Sequence, residues 1–310
     1  MADTTTVRPS GWKSERGRLR YVDAYHAAME LWPVPYESRL VATRFGLTHV
    51  VTSGSAGPPL VLLHAATGFG ATQWYPNVSA LSAQCRVFAV DYIGSAGLGT
   101  QTHPMFSRDD CRDWLLDLFD ELGLERPALV GSSQGGWLAL NLAILSPDRV
   151  GPVALLAPAA SILPFRRAMR LMISAGPYMP AWTGPPSLKA LFGGRVEVDE
   201  RLVEVLTLHL AFFRYQRQAP FPHAFDDREL AGIRSPTLLM IGDHEVIYPP
   251  RAALSRAQVL IPHVETELVE NTGHLINIEQ AGLTDRRLSA FLAAHAGIGV
   301  SGRSGSAVRD

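Results

Sequence analysis

Cysteine is scarce in this chain: two residues, Cys85 and Cys111, in 310. They allow one disulfide at most, which excludes a disulfide-built fold, and neither has metal-ligand spacing, so both read as buried or half-buried thiols. An excess of charge of one sign is also missing. Lys and Arg number 28 against 29 Asp and Glu, for a formal net charge of −1. That leaves no electrostatic case for a nucleic acid or an acidic membrane as partner. Apolar runs such as residues 60–66 are far shorter than the roughly 20 residues of a bilayer span. The opening MADTTTVRPSGWKSERGRLR is polar and basic and lacks the apolar core of a secretory signal. The expected location is the cytoplasm. Gly94–Ser95–Ala96–Gly97 does not fit G-x-G-x-x-G and reads as a turn, so no dinucleotide fingerprint is present, and neither a metal nor an organic cofactor is expected.

What is present is the profile of a globular protein, with 47% hydrophobic and 18% charged residues. Residues 1–18 and the Gly- and Ser-rich tail 297–310 read as disordered. Apolar residues from Arg20 to Trp32 recur at helical spacing until Pro33 and Pro35 stop the helix. Leu40 to Phe45 and Thr48 to Thr52 flank Gly46 as a hairpin. Six short strand-like runs follow, 60–63, 86–91, 127–131, 153–156, 237–241 and 264–269, and all but the last lack polar alternation. Such runs suit strands buried on both faces. Helical patterns at 108–122, 134–145, 250–257 and 283–295 lie between or after them. Alternating strand and helix predicts a doubly wound, mostly parallel α/β sheet, with its core at 19–159 and 234–296. Residues 160–233 break the alternation. Helical patches near 165–174 and 199–215, with Phe165, Met172, Tyr178, Trp182, Phe192, Phe212, Phe213 and Tyr215, predict an inserted helical cap over a pocket.

Gly131–Ser132–Ser133–Gln134–Gly135 fits G-x-S-x-G between a predicted strand and a predicted helix. A very tight strand-to-helix turn would expose the serine Oγ, and small flanking residues let that turn close. Only Ser133 has glycine two positions away on both sides, which makes Ser132 the weaker candidate. Here the chain resembles the α/β-hydrolase fold family, from about Ser38 to Ala294. The resemblance implies a Ser–acid–His order along the chain, with the acid after a late strand and the histidine after the last.

His274, in Asn271–Thr272–Gly273–His274, stands where the family places its histidine. It could take the proton of a serine hydroxyl, itself a poor nucleophile, and later return it to a leaving group. The acid is expected at Glu245. Family members usually read Gly-x-x-Asp-x-x-x-Pro here, and Gly242, Glu245 and Pro249 keep that register, with glutamate in place of the commoner aspartate and Asp243 as the alternative. The resemblance further implies an oxyanion hole from the backbone amides of Ala66 and Gln134. Ala65 replaces a customary glycine, which makes Thr67 an alternative donor, and His64 reads as structural. Phe69 and Trp74 are expected at the substrate pocket.

Serine at the elbow speaks against the branches that use aspartate there, the haloalkane dehalogenases and epoxide hydrolases. Leu31–Trp32–Pro33–Val34–Pro35–Tyr36 and Trp74–Tyr75–Pro76–Asn77 resemble bacterial carboxylesterase-like members. The expectation is a serine hydrolase that cleaves an ester or thioester of a small or medium hydrophobic substrate through an acyl-enzyme. Acyl transfer or cyclisation, carbon–carbon hydrolysis, and a non-catalytic small-molecule-binding protein fit the same residues.

Overall fold

The computed structural model describes residues 11–175, 198–216 and 218–296. Tyr178, Trp182 and Phe192, the side chain of Met172, and the tail 297–310 lie outside the described residues.

Helix α1 (Glu15–Met29) precedes the hairpin β2 (Glu37–Thr43) and β3 (Gly46–Ser53). Then come β4 (Pro59–Leu63), a 3-10 turn at Gly70–Trp74, α2 (Val78–Ser82), β5 (Arg86–Val90) and β6 (Thr100–Gln101). Next are α3 (Arg108–Leu122), β7 (Ala128–Ser132), α4 (Gln134–Leu145) and β8 (Val153–Leu156). A long excursion holds α5 (Arg167–Ala175), α6 (Glu200–Phe212), β9 (Phe213–Arg214) and α7 (Asp227–Ala231). The chain then returns through β10 (Thr237–Gly242), α8 (Pro250–Leu260), β11 (Val264–Val269), α9 (Ile276–Glu279) and α10 (Ala281–His295).

The strands form a 9-stranded sheet ordered β11-β10-β8-β7-β4-β5-β3-β2, with β6 paired to β3. From β11 to β5 all neighbours are parallel, and only the β2–β3 hairpin and its contacts with β5 and β6 are antiparallel. The expected doubly wound, mostly parallel sheet is what the chain forms.

The uninterrupted apolar runs have a simple cause. Successive strand side chains point to opposite faces, and both faces are covered. Leu60, Leu62, Val87, Ala89, Val130, Leu238 and Met240 fall in one apolar cluster with Tyr21, Tyr25 and Phe291. Val61, Leu63, Phe88, Val90, Leu129, Leu239 and Ile241 fall in the other with Trp114, Leu118 and Leu138. The ends of α3 have equally local causes. Ser107 and Asp110 form a capping box, and Gly123 ends the helix at φ 66°.

The N-terminal reading needs correction. Residues 11–18 are not disordered: Gly11 and Trp12 form β1, pairing antiparallel with Arg214 and Phe213 of β9. Ser14 caps α1 by accepting from the Gly17 amide. The apolar stripe begins only at Tyr21, but the cap and the helix-forming residues behind it start the helix earlier. Residues 1–10 lie outside the described residues.

Helix α1 packs closely on α6. A Cβ on Gly17 would lie 2.6 Å from Cγ of Phe212. Gly17→Ala should therefore lower stability, because overpacking of about 1–3 kcal/mol exceeds the helix-propensity gain of about 1 kcal/mol. A fall of a few degrees in the thermal midpoint is the expected readout.

Candidate active site

Parallel strands deliver their loops to one edge of the sheet, where α/β folds place ligands. The loops after β4, β7, β10 and β11 meet there.

Ser133 sits between β7 and α4 at φ 51°, ψ −113°, a backbone conformation costly for any residue but glycine. Its neighbours explain why the turn can exist. A Cβ on Gly131 would lie 2.3 Å from the Gly135 carbonyl oxygen, and one on Gly135 would lie 2.0 Å from the Leu63 carbonyl oxygen. Backbone hydrogen bonds lock the turn: Ser133 N–H donates to Leu156 O at 3.0 Å, and Gly135 N–H to His64 O at 3.1 Å.

His274, in the loop after β11, meets Ser133. Its Nε2 lies 2.8 Å from Ser133 Oγ, and its Nδ1 lies 2.6 Å from Glu245 Oε2. The three residues are 7%, 3% and 3% exposed in the order Ser133, Glu245, His274, so this polar row is nearly dry. The second Glu245 oxygen accepts the Ile247 amide at 2.8 Å. With a carboxylate at Nδ1, that nitrogen carries the proton and Nε2 is left as the acceptor facing the serine hydroxyl.

Asp243 has another place. Its Oδ1 accepts the Thr272 amide at 3.1 Å and lies 2.6 Å from His244 Nδ1, tying the loop after β10 to the loop that carries His274. Gly242 lets those loops touch, since a Cβ there would lie 2.2 Å from the carbonyl oxygens of both Thr272 and Gly273.

In the loop after β4, the Thr67 amide is already engaged, donating to Ala65 O at 2.8 Å. The amides of Ala66 and Gln134 have no acceptor among the described residues. Ala66 is exposed and Gln134 half-buried. His64 is structural in its contacts: Nδ1–H donates to Ala65 O at 2.6 Å and Nε2 accepts the Tyr92 amide at 2.9 Å. Burial lowers its pKa, so the ring stays neutral. Phe69 and Trp74 are both 0% exposed, packed in the apolar cluster with Tyr21 and Tyr25.

Several residues around the site gave no readable signal in the sequence. Glu279 accepts the amides of Gly273 at 2.7 Å and Leu275 at 3.0 Å, bracketing His274. Asp91 accepts from Ala71 N, Tyr25 Oη, Leu98 N and His49 Nδ1, at 2.8–3.0 Å. From α6, His209 leans on Gly68: a Cβ there would lie 2.3 Å from its Nδ1. The Tyr215 hydroxyl lies 2.8 Å from His209 Nε2. Burial pushes the His209 pKa down to about 3, so that ring too is neutral. Among the described residues no cluster of His, Cys, Asp and Glu is placed to hold a metal ion.

Comparison with known proteins identifies the family. The profile of the alpha/beta hydrolase family matches residues 60–286. The chain belongs to the alpha/beta hydrolase family. It is 36% identical over 296 residues to the uncharacterized carboxylesterase nap of Bacillus subtilis (strain 168), covering 90% of this chain and 94% of that one. It is 35% identical over 280 residues to the carboxylesterase YbfK, covering 88% and 94%. The crystal structure of naproxen esterase (carboxylesterase NP) from Bacillus subtilis superposes with a TM-score of 0.85 at 35% identity, covering 90% of this chain and 99% of that chain.

Proposed function

We propose that this alpha/beta hydrolase cleaves carboxylic esters or thioesters of small to medium hydrophobic compounds through an acyl-enzyme on Ser133. One observation carries the reading: the unbroken row Ser133 Oγ, His274 Nε2, His274 Nδ1, Glu245 Oε2, with contacts of 2.8 and 2.6 Å. A binding protein has no use for a base aimed at a buried hydroxyl.

Ser133 Oγ attacks the acyl carbon as His274 Nε2 takes its proton. The carboxylate of Glu245 fixes the imidazole tautomer and stabilises the imidazolium that forms. The tetrahedral oxyanion is held by the amides of Ala66 and Gln134, donors that no acceptor among the described residues occupies. His274 returns the proton to the departing alcohol or thiol. Water then attacks the acyl-enzyme with the same base, and the acid leaves.

The excursion 160–233 serves as a cap in this reading. Its helix α6 reaches the loop after β4 through His209 and Gly68, which supports a covered site. The relative named naproxen esterase supports the substrate class. The net charge of −1 favours a small molecule over a polyanion. Both cysteines are free and buried, in keeping with a reducing cytoplasm.

A fluorophosphonate probe and a chain-length panel of p-nitrophenyl esters test the proposal. Stoichiometric labelling of Ser133 together with ester turnover is expected. Folded protein that neither labels nor turns over any ester would sink it in favour of a non-catalytic binding role.

A further inference from the structure

Two buried amide side chains join the oxyanion loop to the loop of the base. Gln73 lies in the turn after the β4 loop, and its Oε1 accepts the Ala65 amide at 2.8 Å. Its Nε2 donates to Asn277 Oδ1 at 3.3 Å. Asn277 Nδ2 donates back to the Gln73 carbonyl at 3.0 Å and to Asn77 Oδ1 at 3.3 Å. Asn77 Nδ2 in turn donates to Asp285 Oδ1 of α10 at 2.8 Å. Gln73, Asn77 and Asn277 are all 0% exposed. Asn277 belongs to α9, the short helix directly after His274, whose Glu279 also brackets that histidine.

We propose that Gln73, braced by Asn277, is a positioning residue that holds the Ala66 amide in place as oxyanion donor, at a fixed distance from the loop of His274. This rests on the ester-hydrolase reading above.

In a planar trans peptide the N–H points opposite the preceding C=O. The Ala65 carbonyl is held by His64 Nδ1–H at 2.6 Å and by the Thr67 amide at 2.8 Å. The Ala66 N–H, across the same peptide, must therefore point the other way, and no acceptor among the described residues takes it. What anchors the near side of Ala65 is its own amide, and the partner of that amide is Gln73. Without Gln73 a buried amide loses its acceptor and the turn must relax to recover one. Donors work only at about 2.7–3.1 Å from the oxyanion, so a relaxed turn loses transition-state stabilisation while substrate binding is largely unaffected.

The test uses Gln73→Met, which keeps the side-chain length but removes acceptor and donor, and Gln73→Glu. Steady-state hydrolysis of p-nitrophenyl butyrate by Gln73→Met should show kcat reduced about 10- to 100-fold, short of the roughly 10²–10³ for complete loss of a donor. KM should stay within about twofold, and phosphonylation of Ser133 should slow in parallel, since that step also builds charge on an oxyanion. In Gln73→Glu the neutral carboxyl can accept from Ala65 and donate to Asn277, and the ionised form cannot donate. Activity should therefore be largely restored at the acid end of the range and fall as pH rises, a loss absent from the wild type. A purely structural role for Gln73 would lower the thermal midpoint without this alkaline loss.

Folded Gln73→Met with kcat within twofold of wild type, or a defect confined to KM, overturns the proposal. If Gln73→Met fails to fold, a flat alkaline profile for Gln73→Glu overturns it. A wild type inert to esters and to the fluorophosphonate removes both readings, whereas an active wild type with an indifferent Gln73→Met removes this one alone.

Discussion

Ser133→Ala should lower kcat by on the order of 10⁴–10⁶ and abolish fluorophosphonate labelling, while the thermal midpoint barely moves. The size follows from the role: without Oγ no acyl-enzyme forms, and what survives is attack by water in a site that still binds substrate and polarises the carbonyl. The small effect on stability follows from the backbone. Alanine at φ 51° is no worse placed than serine, and the turn is locked by main-chain bonds to Leu156 and His64 that the substitution leaves intact. Residual turnover above a hundredth of wild type, in protein free of contamination, would mean that another group attacks.

Glu245→Gln should lower kcat by about 10²–10⁴, and Asp243→Asn by less than tenfold. The contrast follows from proton accounting. Glu245 Oε1 already accepts the Ile247 amide, so a glutamine keeps its oxygen there and turns its NH2 toward His274 Nδ1. That nitrogen must then accept, the ring proton moves to Nε2, and Ser133 faces a donor where it needs a base. Asparagine at 243 keeps an oxygen for the Thr272 amide and costs mainly the charge beside His244. Parallel measurement of kcat for the two variants decides between the carboxylates. A larger loss from Asp243→Asn would reverse the assignment of the acid.

The fold was legible in the sequence wherever physics is local. Five apolar runs declared buried parallel strands because both faces of the sheet are covered; the sixth, Val264–Val269, carries Glu265 and Glu267 and forms a half-buried edge strand. The helical patterns at 108–122 and 134–145 matched α3 and α4, and the glycine-flanked serine marked the start of α4. The candidate nucleophile and base could be read because a tight turn demands glycine at fixed offsets and because the histidine loop follows the last strand. Glu245 was separated from Asp243 only by register with Pro249. Where recognition depends on distant pairing, the sequence was silent. Gly11 and Trp12 form a strand only because β9 is there to pair with them. Gln73, Asn277 and Asp91 are ordinary polar residues until folding gives them partners. The aromatic character of Phe69 and Trp74 could suggest a pocket, yet it serves equally well for core packing, which is where both side chains lie.

The pairing of β1 with β9 and the close seat of α1 on α6 have a practical consequence. The start of the described chain and the segment inserted after β8 behave as one piece. Leu202, Val205 and Leu208 share their apolar cluster with Tyr21 and Tyr25. A deletion that began the protein at β2 would leave the sheet's own ladder untouched yet strip the cover from those leucines and that valine. Such a shortened protein would be sticky long before it was unfolded.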